Sequence, residues 1–362
     1  MPRAFYRCIA VVFLWAGIVV PVVAAEADSW PPLPEQDGTA AIPAQSWKFK
    51  PGPRTVKAYV FYPGGRLENV TEKTGLFLSL HNWGGTGWSG TADPKELANR
   101  LDVVAICVNY LQSGKWRTSG GPYDFGYLQA LDALRALYWV FDGLEKLGKP
   151  FAEGRIFATG GSGGGNVTLM INKLAPRTFT CAVDMCGMAK LSDDMAFGIP
   201  GRTHLNAGYS RDPNRPNYLS RDEQEIRFVG HPKHVAAMKR LGNSCKLLVV
   251  HGTTDASCPV ADAMEMVANM KRARLDVEPH FITKKDLDGT ALKSTGHSLG
   301  NRTLIVLRLA GNYLRPDGPQ ALVRKTATDF QRRDAKVRYR TSGGSFVISY
   351  EAGYPVGRFE PK

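Results

Sequence analysis

A serine, an aspartate and a histidine stand far apart in this chain, each on a stretch that could aim it at a common point. Ser162 lies in Gly160-Gly161-Ser162-Gly163-Gly164. The apolar, strand-like Arg155-Ile156-Phe157-Ala158 precedes it and the helix-like run from Val167 to Leu174 follows. A serine at such a strand-to-helix turn adopts a strained backbone, which flanking glycines permit by letting neighbouring backbone come close. Its hydroxyl then points into a cleft, and the start of the helix offers N–H groups to a developing anion. Two other glycine-loop readings fail. A dinucleotide loop counted from Gly161 needs a glycine where Asn166 stands, and a phosphate-binding loop needs a lysine that this stretch lacks.

A serine hydroxyl becomes a nucleophile when a base takes its proton and a carboxylate orients that base. His297 lies on the glycine-flanked loop Ser294-Thr295-Gly296-His297-Ser298-Leu299-Gly300, ahead of the last helix. Asp255 follows the strand Lys246 to Val250, in His251-Gly252-Thr253-Thr254-Asp255, on the sheet edge expected for Ser162. The order serine, aspartate, histidine is the order of the elbow-bearing sheet. Asp184, Asp286 and Asp288 are rivals for the acid. Among the other histidines, His204, His231 and His234 read as surface or local polar contacts. His280 reads as a structural strand residue, His251 as a local hydrogen-bonding partner, and His81 as part of an anion-stabilising segment.

That segment, His81-Asn82-Trp83-Gly84-Gly85, follows the buried strand Leu76 to Leu80. An oxyanion needs two backbone N–H donors. Gly163 supplies one, and either Trp83 or Asn82 the other. Trp83, Trp88, Trp116 and Tyr123 are candidates for stacking a sugar ring or an aryl ester, or for packing beneath a cover. The cysteines Cys107, Cys181, Cys186, Cys245 and Cys258 do not have metal-site spacing. A disulfide among the last four is open, and nothing implies a metal or organic cofactor.

The elements that must hold these residues alternate in type. Strands are expected at Arg54 to Tyr62, Gly75 to Leu80, Val103 to Tyr110, Arg155 to Ala158, Cys181 to Cys186, Lys246 to His251 and Asp276 to Thr283. Helices are expected at Pro94 to Arg100, Leu128 to Leu147, Val167 to Leu174, Val260 to Arg274 and Asn301 to Leu314. This is an α/β pattern: a doubly wound, mostly parallel sheet with its active loops at the strand C-termini. The core domain is placed at residues 54–316. Residues of about 189–244, with weak periodicity, are expected to form a lid. Residues 317–362 form an extension carrying a β-hairpin at Lys336 to Arg340 and Ser345 to Tyr350.

The chain has 362 residues, 43% of them hydrophobic and 22% charged, which is ordinary globular composition. Arg3 and Arg7, the apolar stretch Ile9 to Val20 and Val23-Ala24-Ala25 read as a signal peptide over residues 1–25, cleaved before Glu26. The expectation is a secreted or periplasmic protein with no stable membrane insertion once the signal is gone. Residues 26–53 read as an exposed, Pro-rich leader. The formal charge is +13. It suits an acidic polymer or a solvated basic face, and no nucleic-acid motif accompanies it.

On Gly160-x-Ser162-x-Gly164, the His81-Asn82-Trp83 loop and the Ser162, Asp255, His297 order, the chain resembles the α/β-hydrolase superfamily, nearest its prolyl-oligopeptidase-like and esterase-like branches. The resemblance covers Arg54 to Leu314. It implies a catalytic triad of Ser162, Asp255 and His297, with Gly163 and Trp83 or Asn82 as oxyanion donors. That branch usually has glycine where Asn82 stands and often an aromatic where Gly163 stands. The missing aromatic, and a stretch from Glu26 to Gly161 too short for a gating propeller, favour a carboxylic ester over a peptide as substrate, in small-molecule or polymer form. A peptidase acting on short peptides and a silent, ligand-binding hydrolase fold are the alternatives.

Overall fold

The computed structural model describes residues 30–362. The segment read as a signal peptide lies outside the described residues. Eight strands form the main sheet: β1 (Gly38–Pro43), β2 (Thr55–Phe61), β3 (Gly75–Leu80), β4 (Val103–Val108), β5 (Ile156–Gly161), β6 (Cys181–Met185), β7 (Lys246–Gly252) and β8 (Val277–Ile282). Their order is β1-β2-β4-β3-β5-β6-β7-β8. β1 and β2 pair antiparallel, as do β2 and β4; from β4 to β8 every pairing is parallel. The middle strands β3 to β6 are buried along their whole length, which is why they read as unbroken apolar runs.

The helices are α1 (Pro94–Leu101), α2 (Tyr127–Lys146), α3 (Gly163–Leu174), α4 (Asp193–Phe197), α5 (Arg221–Ile226), α6 (Pro232–Arg240), α7 (Val260–Arg272), α8 (Arg302–Leu309) and α9 (Gly311–Leu314). Leu131, Leu134, Val140, Leu169 and Met266 pack α2, α3 and α7 onto one face of the sheet. Leu97, Leu101, Ile305, Val306 and Leu314 pack α1, α8 and α9 onto the other. This is the doubly wound arrangement of the α/β-hydrolase fold.

The structure corrects or completes the sequence reading at three points. The leader is not exposed: its Gly38–Pro43 becomes β1, which covers the edge of β2 with Ile42 fully buried. An uncovered β2 would present unpaired backbone groups to solvent, and the added strand moves the sheet edge from β2 to β1. Further back, the Trp139 indole N–H donates to Pro31 O at 2.7 Å, clamping the leader onto α2.

The expected C-terminal hairpin is present as β9 (Lys336–Arg340) and β10 (Gly344–Ser349), and β11 (Val356–Pro361) adds a third antiparallel strand, in the order β11-β10-β9. β11 carries Gly357 and Pro361 and is half-exposed or exposed throughout, so it lacks an alternating pattern that sequence could show. Tyr350 Oη donates to Leu174 O at 3.0 Å and Tyr339 Oη to Lys173 O, so the small sheet is tied to the end of α3. Finally, the five cysteines among the described residues are buried and free, so no disulfide joins any of the four that could have paired.

Candidate active site

Ser162 terminates β5 and begins α3 with φ 58° and ψ −120°, a left-handed strain for a residue with a side chain. The turn closes because Gly160 and Gly164 meet backbone to backbone, and Gly164 lies against the Leu80 and His81 carbonyls of β3 and its loop; a Cβ at either glycine would overlap them. The Ser162 N–H is fixed by Met185 O at 2.9 Å. Strand, turn and neighbouring strand therefore leave the Ser162 side chain one direction in which to project.

The three sequence-selected residues converge there. Ser162 Oγ lies 2.9 Å from His297 Nε2, and His297 Nδ1 lies 2.8 Å from Asp255 Oδ2. A carboxylate only accepts, so Nδ1 carries the hydrogen and Nε2 is the acceptor for the serine O–H. Asp255 Oδ1 accepts from the N–H groups of Ser257 (2.8 Å) and Cys258 (2.9 Å). Burial works to raise the Asp255 pKa, but the hydrogen bonds of His251, His297 and Cys258 outweigh it and hold the carboxyl well below the usual range. His297 is about a quarter exposed, so the base is open to solvent while the acid is sealed. Asn301 caps α8 through Leu304 N at 3.1 Å and so anchors the C-terminal side of the His297 loop.

The rival acids have other work. Asp286 caps the turn after β8 through Thr283, and Asp288 holds its own loop through Thr290 N and Leu292 N. Asp184 is fully buried on β6 and makes no hydrogen bond to His297. Of the other histidines, His204 is exposed and His280 pairs with Glu278 at 2.9 Å. His234 departs from the surface reading: it is buried, with Nδ1 3.0 Å from Lys173 Nζ and Nε2 3.0 Å from Arg340 O. His251 does make the local bond expected, to Cys258 O at 2.8 Å, but it also reaches the triad acid, which spacing alone gave no means of finding.

Hydrogen-bond accounting separates the two candidate oxyanion donors. The Asn82 N–H is already committed to Ser89 O at 3.0 Å. The Trp83 N–H faces the elbow, 2.5 Å from where a Cβ on Gly163 would stand. With the Gly163 N–H at the start of α3, where a helix leaves its first donors free, it forms a pair aimed beside Ser162. His81 holds this loop from behind. Its Nδ1 lies 2.8 Å from Asn82 O, its Nε2 2.6 Å from Ser113 Oγ, and its ring stacks on Tyr110 at 4.0 Å. Burial pushes its pKa down to about 4, so it is neutral at neutral pH.

The four aromatic candidates divide. Trp83 stacks on Tyr123 with centroids 3.8 Å apart, and Trp116 meets both edge-on at 5.6 Å. Tyr123 is buried, so it backs Trp83 and offers no face to a substrate; Trp83 and Trp116 remain half-exposed. Trp88 does not join them. Its ring sits on Phe61 and Tyr59 of β2, at 5.2 and 6.1 Å, because its loop turns away after Gly87 is bonded to Asn109. Residues from 189–244 complete this wall: Leu191, Met195, Ala196, Ala207 and Leu219 pack with Tyr123, Phe125 and Cys258. The His, Cys and carboxylate atoms that draw together among the described residues, on Cys186, Asp255 and His297, include the triad's own bonded pair and a thiol whose pKa burial raises.

Fold and site together define a serine hydrolase of the α/β-hydrolase superfamily. Residues 140–303, which include Ser162, Asp255 and His297 but not the Trp83 loop, match the prolyl oligopeptidase family. No curated protein matches the chain. Among solved structures, it is similar to the acylaminoacyl peptidase of Pyrococcus horikoshii. That likeness has a TM-score of 0.52 at 14% identity and covers 81% of this chain and 42% of that one. It is also similar to dipeptidyl peptidase 4 of Porphyromonas gingivalis, with a TM-score of 0.50 at 15% identity, covering 77% and 35%. These identities speak for the fold alone, and the chain spans less than half the length of either neighbour.

Proposed function

We propose that this protein hydrolyses acyl bonds of small substrates through an acyl-enzyme on Ser162, with short peptides or acylated amino acids as the first class and carboxylic esters as the second. The observation that carries the chemistry is the unbroken relay from Ser162 Oγ through His297 to Asp255 at 2.9 and 2.8 Å. His297 Nε2 takes the hydroxyl proton as Oγ bonds to the acyl carbon. The alkoxide forms between the Trp83 and Gly163 N–H groups. His297 then returns the proton to the departing nitrogen or oxygen, and next takes one from the water that releases the acid.

The peptide reading is supported by the family match across the triad and by the peptidase names of both neighbours. The bare Gly163 no longer weighs against it. A side chain there would strike the Trp83 backbone, so the glycine is required by the oxyanion loop and carries no information about the leaving group. The ester reading is supported by the half-exposed indole of Trp116 beside Trp83, a stacking surface for an aryl or sugar alcohol, and by the ease with which an alcohol leaves.

The test is labelling with a fluorophosphonate beside Ser162→Ala, then kcat/KM for alanine p-nitroanilide against p-nitrophenyl acetate. Labelling lost in the variant with measurable anilide turnover supports the peptide reading, and ester turnover alone supports the second. Absence of labelling in folded protein would leave a ligand-binding hydrolase fold. Export, read from residues 1–25, is proposed alongside, and a mature N-terminus at Glu26 in secreted material is its test.

A further inference from the structure

Behind the triad lies a second buried pair of titratable groups that the acyl-transfer mechanism does not use. Asp255 Oδ2, the oxygen that receives His297 Nδ1 at 2.8 Å, is also 3.3 Å from His251 Nε2. The same Nε2 is 2.8 Å from Cys258 O. A carbonyl oxygen only accepts, so Nε2 must carry a hydrogen, and that hydrogen lies between Cys258 O and the triad carboxylate. His251 is therefore held as a donor toward Asp255 in either charge state. Its other nitrogen, Nδ1, is buried without a hydrogen-bond partner.

Asp184 supplies the matching anomaly. It pairs across the sheet with Val249, two residues before His251, so its side chain leaves the same face of the sheet as that of His251. It is fully buried, and its two carboxyl oxygens have no hydrogen-bond partner beyond the nearby Gly187 N–H. A buried carboxylate and a buried imidazolium on one face each favour the other's charged form. Burial raises the Asp184 pKa to about 7, with the His251 charge opposing it. For His251, burial works downward, but Asp255 and Asp184 together raise it. The other groups facing this pair are Cys186 after β6, Cys258 and His297 beside Asp255, and the Arg302 guanidinium from α8.

We propose that His251 is a positioning residue for the triad acid, donating to Asp255 Oδ2 so that it faces His297, and that the Asp184 carboxylate on the same face of the sheet favours positive charge on His251. The inference rests on the serine-hydrolase reading of the site. It assigns two separable effects: the rate follows the N–H donor, whereas the acid limb of the pH profile follows the charge. Positive charge on His251 opposes protonation of the neighbouring His297, so removing it moves that limb upward.

The experiment uses the full-length mature protein with p-nitrophenyl acetate, measuring kcat, KM and the pH profile of kcat/KM. His251→Leu is expected to lower kcat by about tenfold with KM little changed, and to raise the acid limb by about half a pH unit. His251→Gln restores an N–H donor without charge, so it is expected to recover most of the rate while keeping the displaced limb. Asp184→Asn is expected to displace the limb in the same direction with kcat near wild type. A merely structural role would lower stability without moving the limb. If His251→Gln and Asp184→Asn both fold and both retain the wild-type limb, the inference is overturned, even should His251→Leu fail to fold. If wild type itself neither turns over the ester nor reacts with a fluorophosphonate, the failure belongs to the serine-hydrolase reading instead.

Discussion

Gly163→Ala tests the oxyanion assignment more sharply than removal of a triad member. The added methyl would stand 2.5 Å from Trp83 N, 2.9 Å from its Cα and 3.1 Å from its Cβ, where ordinary contact begins at 3.4 Å. The first two contacts are with backbone, so no side-chain rotation relieves them. The loop must retreat by about 0.9 Å if α3, packed into the core, stays in place. A donor meant to sit about 2.9 Å from the alkoxide then stands near 3.8 Å, beyond hydrogen-bonding range. Losing one such donor costs about 3–4 kcal/mol in the transition state, or roughly 10²–10³-fold in kcat. The Ser162–His297–Asp255 bonds do not involve this contact, so KM for p-nitrophenyl acetate should change little, while the displaced loop lowers the melting temperature. The assay is steady-state turnover beside a thermal melt. A folded Gly163→Ala protein with kcat within about threefold of wild type would refute the reasoning, and Trp83 N would not be a donor to the oxyanion.

Other outcomes follow from the same geometry. Asp255→Asn keeps the size of the acid but lets His297 take the wrong tautomer, so kcat should fall by about 10⁴-fold in a protein that still melts cooperatively. Asp184 has a folded pKa raised above its unfolded value, so the native state costs more to maintain as pH rises from about 4 to about 7. Asp184→Asn should therefore gain stability relative to wild type across that window, by a few kcal/mol at most, read from denaturant midpoints at pH 4 and pH 8; a difference independent of pH would contradict it. Ile42→Ala removes fully buried methyl groups from β1 and should cost about 2–4 kcal/mol by urea unfolding, whereas an exposed leader would tolerate it.

The site was largely legible because its parts are local. The glycines around Ser162 announce a turn that only they can make, and the serine-aspartate-histidine order reflects the order of the sheet's loops. Central strands showed themselves by apolar runs, since burial on both faces leaves no polar alternate. Where the reading failed, the deciding contact was distant. β1 is a strand because β2 offers an edge to it, and β11 because β10 does. Trp88 left the aromatic group because its loop turned toward β2.

What the sequence determined by itself was the candidate chemistry: a serine, a histidine, an aspartate and a glycine-rich loop, each on a loop between elements whose type could be read from their own residues. What only the tertiary structure decided was how neighbouring groups share their hydrogen bonds. Asn82 spends its N–H on Ser89 and Trp83 does not; Gly163 is bare because Trp83 lies against it; Asp255 lies beside a second histidine, His251. Such choices depend on distances between segments far apart in the chain, and the spacing of residues along a sequence does not record them.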